Sequence, residues 1–181
     1  GVCGGVLQRS VPATRNLSVW GQLSLPPTPP GHPPPRCLCE FSAARDIRPG
    51  EDLPIEAAYP GGRGRVAFHL ESASESHARR FGIRPSGVWP AEGGISTPFL
   101  EILAEHNCQW SASGEGVLAN SLRDTYAGQH LPERGRYLYR PYRIQGKADS
   151  VTCFFRYEKL SDMIGFEYAK WFGRAAAEHL V

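Results

Sequence analysis

The sequence predicts an α/β protein: a parallel sheet with helices packed outside it, part of a larger βα architecture, behind a proline-rich N-terminal tail. Three observations predict it. Short, almost wholly apolar runs, clearest in Val151-Thr152-Cys153-Phe154-Phe155, alternate with amphipathic stretches. The runs end at glycine or at charged residues. The first fifty residues have a different texture, set by Pro26-Pro27-Thr28-Pro29-Pro30-Gly31-His32-Pro33-Pro34-Pro35. That segment has too few amide donors for a helix or central strand and reads as polyproline II or disorder. Residues 1–52 are therefore expected to form a low-complexity, disordered tail, and residues 53–181 the βα segment.

The elements follow in order. Val66 to Arg80 fits a helix with Val66, Leu70, Ala73 and His77 on one face, closed at Phe81-Gly82. Pro85 to Pro90 gives a short apolar strand. Thr97-Pro98 looks like an N-cap followed by proline at the first helical position, and Asn107 ends the helix. Cys108 to Ser113 is the next strand. Residues 114 to 150 read as a long connection rich in Tyr and Arg. Val151 to Phe155 is a third strand, buried on both faces. Ser161 caps a last helix whose apolar stripe is Ile164, Tyr168, Trp171, Phe172 and Ala175. Three strands are too few for a complete barrel or doubly wound sheet. The sequence also stops on a helix where another strand is due, so a fragment of a larger protein is expected.

Bulk properties narrow the function classes. A chain of 181 residues holds one domain and a tail. Its net charge of +2 argues against a nucleic-acid or acidic-membrane partner. No 18-residue apolar run is present, and the first 25 residues make a poor signal peptide. Asn16-Leu17-Ser18 is a glycosylation sequon by pattern only. Cys3, Cys37, Cys39, Cys108 and Cys153 are odd in number and irregular in spacing, unlike a disulfide framework. Cys37-x-Cys39 lacks a second pair at zinc spacing, so no metal or cofactor is expected. Cys108 and Cys153 read as small buried hydrophobes. A reducing, cytoplasmic setting fits. The oligomeric state is not legible.

Chemistry concentrates in Gly87-Val88-Trp89-Pro90-Ala91-Glu92-Gly93-Gly94. A short strand that ends in an acid on a glycine loop is how many enzymes present a nucleophile or proton carrier at the open end of a sheet. Parallel strands deliver their last residues to one side: Glu92 from the first strand, Glu115 from the second, Arg156 and then Asp162 from the third. Trp89 and Trp110 are placed at or just inside the same ends. Acids, a guanidinium and aromatic rings are the parts of a sugar site, with rings stacking on pyranose C–H faces and charged groups bonding hydroxyls. Each residue also has a plainer reading. Glu92 is then a solvated loop acid, Glu115 a partner of a helix dipole, Arg156 and Asp162 a structural ion pair, and both tryptophans core residues. His69, His77, His106 and His179 fall on helices and read as structural. The run Arg134 to Arg143 mixes basic and aromatic residues as single-strand binders do, but a lid or edge over the sugar site agrees better with the low net charge.

Three ordered blocks carry a family resemblance. They are Arg84 to Ser96, with Trp89-Pro90-Ala91-Glu92-Gly93-Gly94 at its centre; Trp110-Ser111-Ala112-Ser113-Gly114-Glu115-Gly116-Val117-Leu118; and Phe155-Arg156-Tyr157-Glu158-Lys159-Leu160-Ser161-Asp162-Met163-Ile164-Gly165-Phe166. Together they resemble glycoside hydrolase family 57, in the branch of α-amylase and amylopullulanase-like proteins. The resemblance covers roughly residues 53–181. It implies a segment of an incomplete seven-stranded βα barrel acting on α-glucans or maltooligosaccharides by retaining hydrolysis or transfer, without a metal. It puts Glu92 at the nucleophile position, with Trp89, Trp110, Glu115, Arg156 and Asp162 as substrate-binding or supporting groups. It also departs from the family pattern. Gly114 and Tyr157 stand where members usually carry Asp, an upstream His-Gln-Pro-like motif is missing, and the acid/base block is expected beyond Val181. Two other readings stay open: a glucan-binding remnant without turnover, and a truncated product with no independent activity.

Overall fold

The computed structural model describes residues 2–46, 50, 52–56, 58–126, 130–146 and 149–180, with backbone only for 2–9 and 46. The centre is a four-stranded sheet in the order β1-β2-β4-β3. Strands β1 (Gly87–Val88), β2 (Trp110–Gly114) and β4 (Ser150–Arg156) run parallel, and β3 (Tyr142–Gln145) lies antiparallel on the edge. The register pairs Val88 with Ser111, and Gly114 with Arg156. The carboxyl ends of the three parallel strands therefore meet on one side, as the sequence pattern predicts.

Helix α3 (Gly62–Phe81) buries Val66, Leu70, Ala73 and His77, the face read from the sequence. It ends at Gly82, whose φ of 80° is the left-handed conformation that glycine adopts without penalty, and whose N–H donates to the Ala78 carbonyl. Helix α4 (Thr97–Glu105) starts one residue earlier than expected, with Ser96 at the N-cap and Pro98 inside the first turn. Phe99, Ile102 and Leu103 are almost wholly buried and join Val66, Leu70, Val88, Val151 and Cys153 in one core. Burying such side chains is worth about 1.5–3 kcal/mol each and holds the helices on the sheet.

The sheet is covered on one face only. Along β2 and β4, Ser111, Ser113, Val151 and Cys153 are buried, while Trp110, Ala112 and Thr152 on the opposite face are half-buried and Phe154 is exposed. The expectation of strands buried on both faces is corrected accordingly: strand side chains alternate, and no helix covers the second face among the described residues. A helix and a strand fall inside the span read as a connection. Helix α5 (Glu115–Thr125) follows β2 directly, and β3 pairs with β4.

The N-terminal residues differ most from expectation. Helix α1 (Val2–Val19) packs on α3, and the short α2 (Pro35–Cys39) packs on α3 and α4. Between them the proline segment runs extended apart from a turn at Pro29–His32. Its Pro27 carbonyl accepts the Trp89 N–H at 3.1 Å, and Ser24 Oγ lies 3.2 Å from Ser86 Oγ. At the buried Gly62, a Cβ would lie 1.7 Å from the backbone oxygen of Leu38, so α2 rests on bare helix backbone. Residues within 1–52 are thus built into the fold. A segment that docks through carbonyls and proline rings carries no hydrophobic period, which is why the sequence reads as a tail.

The C-terminal stretch is also corrected. Instead of one helix capped by Ser161, it forms α6 (Glu158–Asp162), a π turn (Met163–Glu167), a 3₁₀ turn (Tyr168–Lys170) and α7 (Gly173–Leu180). The stripe does not enter the core: Ile164, Trp171 and Phe172 are exposed. Tyr168 and Trp171 pack with His179, whose Nδ1 lies 2.7 Å from the Tyr168 hydroxyl.

Candidate functional site at the carboxyl ends of the parallel strands

Beyond β1 the chain makes a tight 3₁₀ turn over Ala91–Gly93. Gly93 N–H donates to Pro90 and Gly94 N–H to Ala91, both at 3.0 Å. Glu92 sits in this turn with φ 55° and ψ 19°, a left-handed conformation that disfavours a residue with a Cβ by about 1–2 kcal/mol. Such strain persists only where the surroundings enforce it, and it clusters at functional sites. Here the enforcing contact is a buried one: Ser113 Oγ on β2 donates to the Gly93 carbonyl at 2.5 Å. A second buried hydroxyl, Ser111 Oγ, donates to the Val88 carbonyl at 3.0 Å and fixes β1 to β2. The sequence reading missed both serines. Their signal was there: alternate small polar residues in a strand whose neighbours are apolar.

The Glu92 carboxylate is 81 % exposed, and its Oε1 lies 3.7 Å from Nδ1 of His32 on the proline segment. An exposed pair at this separation is weak in water. His32 is itself left-handed, at φ 49°. Glu92 also borders a cavity of about 270 Å³ with Gly93, Gly114, Asn120, Arg156 and Glu158.

Other expected site residues divide. Arg156 ends β4 and places its guanidinium 5.7 Å from the centre of the half-buried Trp89 ring, joining the ends of β4 and β1. Glu115 opens α5 but is largely buried, and its carboxylate lies 3.8 Å from Arg134 rather than in the cavity with Glu92. Asp162 is exposed at the end of α6 and does not line that cavity. Trp110 is the first residue of β2, paired with Gly87, and so stands at the amino end of the sheet. Its ring fills the space over Gly87, where a Cβ would come 2.2 Å from the indole, and meets Phe154 edge-on. Trp110 is therefore remote from the strand ends where it was expected, because the strand begins two residues later than the sequence implied. Glu158, read only as part of a family block, does line the cavity.

Several other polar groups have partners within the fold. His77 Nδ1 is 2.8 Å from the Ile83 carbonyl at the end of α3. Arg134 lies 4.3 Å from the Tyr157 ring centre. Burial pushes the Cys108 and Cys153 thiols up to about 11, so neither is a thiolate nucleophile at neutral pH. The Cys3 side chain lies outside the described residues. Among the described residues, no group of three or more His, Cys, Asp or Glu side chains is placed to hold a metal ion. No helix among them is long and apolar enough to cross a membrane.

Two solved structures share this architecture. The chain is similar to 4-α-glucanotransferase from Thermococcus litoralis, with a TM-score of 0.55 and 18 % identity over 94 % of this chain and 21 % of that one. It is also similar to an α-amylase from Thermotoga maritima, with a TM-score of 0.53 and 16 % identity over 90 % of this chain and 25 % of that one. The chain thus spans a fifth to a quarter of the length of these proteins, and the likeness is one of fold. No curated protein matches the sequence. The model of glycosyl hydrolase family 57 matches residues 10–181, nearly the whole sequence, and the chain belongs to that family.

Proposed function

We propose that this chain forms part of an α-glucan site in a retaining glycoside hydrolase or transglycosylase, with Glu92 as the nucleophile. The observation that carries the reading is the placement of Glu92. A strained turn holds it beyond a parallel strand, on a cavity it shares with Arg156, whose guanidinium lies 5.7 Å from the centre of the Trp89 ring. In this mechanism the Glu92 carboxylate attacks the anomeric carbon as the glycosidic C–O bond breaks, and the leaving oxygen takes a proton from a second carboxyl group. Water, or a glucan hydroxyl in transfer, then displaces Glu92. Trp89 stacks on a sugar ring, and Arg156 hydrogen-bonds hydroxyls while holding that ring in place. Glu115 and Asp162 support the turn-bearing elements at a distance from the cavity, and Trp110 packs the other end of the sheet. Cytoplasmic location and a seven-stranded parent barrel belong to the same proposal.

The test is turnover of maltoheptaose by the chain and by Glu92→Gln, which keeps size and shape and removes the nucleophile. Hydrolysis or transfer lost in the variant supports the assignment, and activity that survives removes Glu92 from the mechanism. A second reading, glucan binding without turnover, draws on the openness of Glu92 to solvent. It predicts saturable maltoheptaose binding with no product, weakened by Trp89→Ala.

A further inference from the structure

The side chain of Glu158 occupies the space that a side chain at Gly114 would fill. Gly114 ends β2 with φ −88° and ψ 159°, an extended conformation open to any residue, so its backbone does not call for glycine. Its surroundings do. A Cβ there would lie 1.9 Å from Glu158 Oε1, 3.0 Å from Cδ and 3.3 Å from Cγ. A Cβ on Gly116, two residues on, would stand at ordinary van der Waals distance from the same carboxylate, with 3.6 Å to each oxygen. The acid at the start of α6 is thereby laid across two glycines at the start of α5. Gly114, at the N-cap of α5, supplies no side-chain cap of its own.

This placement brings Glu158 to the site. Gly93 adjoins the same strand end: a Cβ on it would be 3.6 Å from Ser113 Cα and 3.8 Å from Gly114 N. Glu92 from beyond β1 and Glu158 from beyond β4 thus border one cavity of about 270 Å³, with Gly114 at the end of the intervening β2 and Arg156 at the end of β4. Glu92 is exposed, whereas Glu158 is half-buried on the floor formed by the glycines. The cavity is of a size for a single pyranose ring, and an ionised carboxylate on its wall is an acceptor for sugar hydroxyls.

We propose that Glu158 is a substrate-binding carboxylate of the Glu92 site, admitted by the missing side chain at Gly114, and that it holds hydroxyls of the sugar ring that Glu92 faces. This deepens the α-glucan reading and rests on it. The pairing is specific to these two positions. Any side chain at 114 evicts the carboxylate, and loss of the carboxylate leaves Gly114 with nothing to accommodate.

The test is calorimetric titration of maltoheptaose into the full chain and into Glu158→Gln, Gly114→Ala and Gly114→Ala/Glu158→Gln, with thermal unfolding of each. Replacing the charged acceptor by a neutral amide is expected to weaken binding about 10-fold, the weight of a hydrogen bond to a charged group. Gly114→Ala is expected to weaken it to the same degree. The double variant should be no worse than either single one, because both remove the same contact. Unchanged affinity in Glu158→Gln overturns the inference while leaving the α-glucan reading intact. So does a lowered melting temperature with unchanged affinity, which would make Glu158 a structural support for α5. If the parent chain binds no maltoheptaose, the α-glucan reading fails and this inference with it.

Discussion

Alanine at Gly62 and alanine at Gly64 should move the stability of this protein in opposite directions. Both glycines lie in the first turn of α3. In an isolated helix, either substitution is favourable by up to about 1 kcal/mol, since glycine gives up more backbone freedom on folding. Gly64 is open to solvent, with nothing within 4 Å of its added Cβ. Gly64→Ala should therefore realise most of that gain. At Gly62 the new methyl would stand 1.7 Å from the Leu38 oxygen and 2.7 Å from its carbonyl carbon. These are backbone atoms, unable to rotate aside, and ordinary contact begins near 3.4 Å. Helix α2 must then shift by more than an ångström or leave. Overpacking of this kind typically costs about 1–3 kcal/mol, more than the propensity gain. For a domain of this size 1 kcal/mol corresponds to about 2–4 °C in melting temperature. Gly64→Ala should melt a few degrees higher than the parent and Gly62→Ala a few degrees lower, measured by circular dichroism in parallel. If both rise, α2 does not rest on α3, and the N-terminal residues are the free tail that their composition suggests.

Four further outcomes are expected. Glu92→Gly should melt above Glu92→Ala by about 2 °C, because the left-handed turn disfavours alanine by about 1–2 kcal/mol against about 0.4–1 kcal/mol of added unfolded-chain entropy for glycine; equal melting would disprove the turn. Ser113→Ala and Ser111→Ala should each lose about 1 kcal/mol in urea unfolding through their buried bonds, but only Ser113→Ala, which frees the Gly93 carbonyl, should weaken maltoheptaose binding. Phe99→Ala empties a fully buried site and should cost about 3–5 kcal/mol, enough to leave a marginal domain largely unfolded at 37 °C. The Cys108 and Cys153 thiols, raised from 9.0 to about 11 by burial, keep their protons in the folded chain where the unfolded chain releases them. Their contribution is complete below pH 9 and lost as pH climbs toward 11, so Cys108→Ala/Cys153→Ala should flatten the decline in stability between pH 8 and 10.5.

What the sequence disclosed follows how each element is held. Helix α3 was legible because its four buried side chains recur at helical spacing, and Gly82 marks its end. Strands β2 and β4 were legible as apolar runs, but composition alone could not tell a strand covered on two faces from one covered on a single face. Strand β3 was lost inside a Tyr- and Arg-rich run because its alternation of half-buried and exposed residues spans only four positions. The position of Glu92 beyond a strand end was legible from its local motif, a carboxylate before two glycines. Glu158 was not, because its position depends on the emptiness at Gly114 on another strand, a relation no local pattern records. The two tryptophans separate on the same ground. One register pairing puts Trp110 at the start of β2, whereas Trp89 follows the end of β1 and has the Arg156 guanidinium 5.7 Å from its ring centre.

The Trp89 amide has its own consequence. Strand β1 stops at Val88, and the next N–H is bonded to Pro27 instead of to the neighbouring strand. The backbone that carries the Trp89 ring is thus moored to a proline ribbon from elsewhere in the chain. Deuterium uptake at that one amide gauges whether the ribbon is seated, and a ligand that lifts the ring must either stretch the mooring or carry the ribbon along.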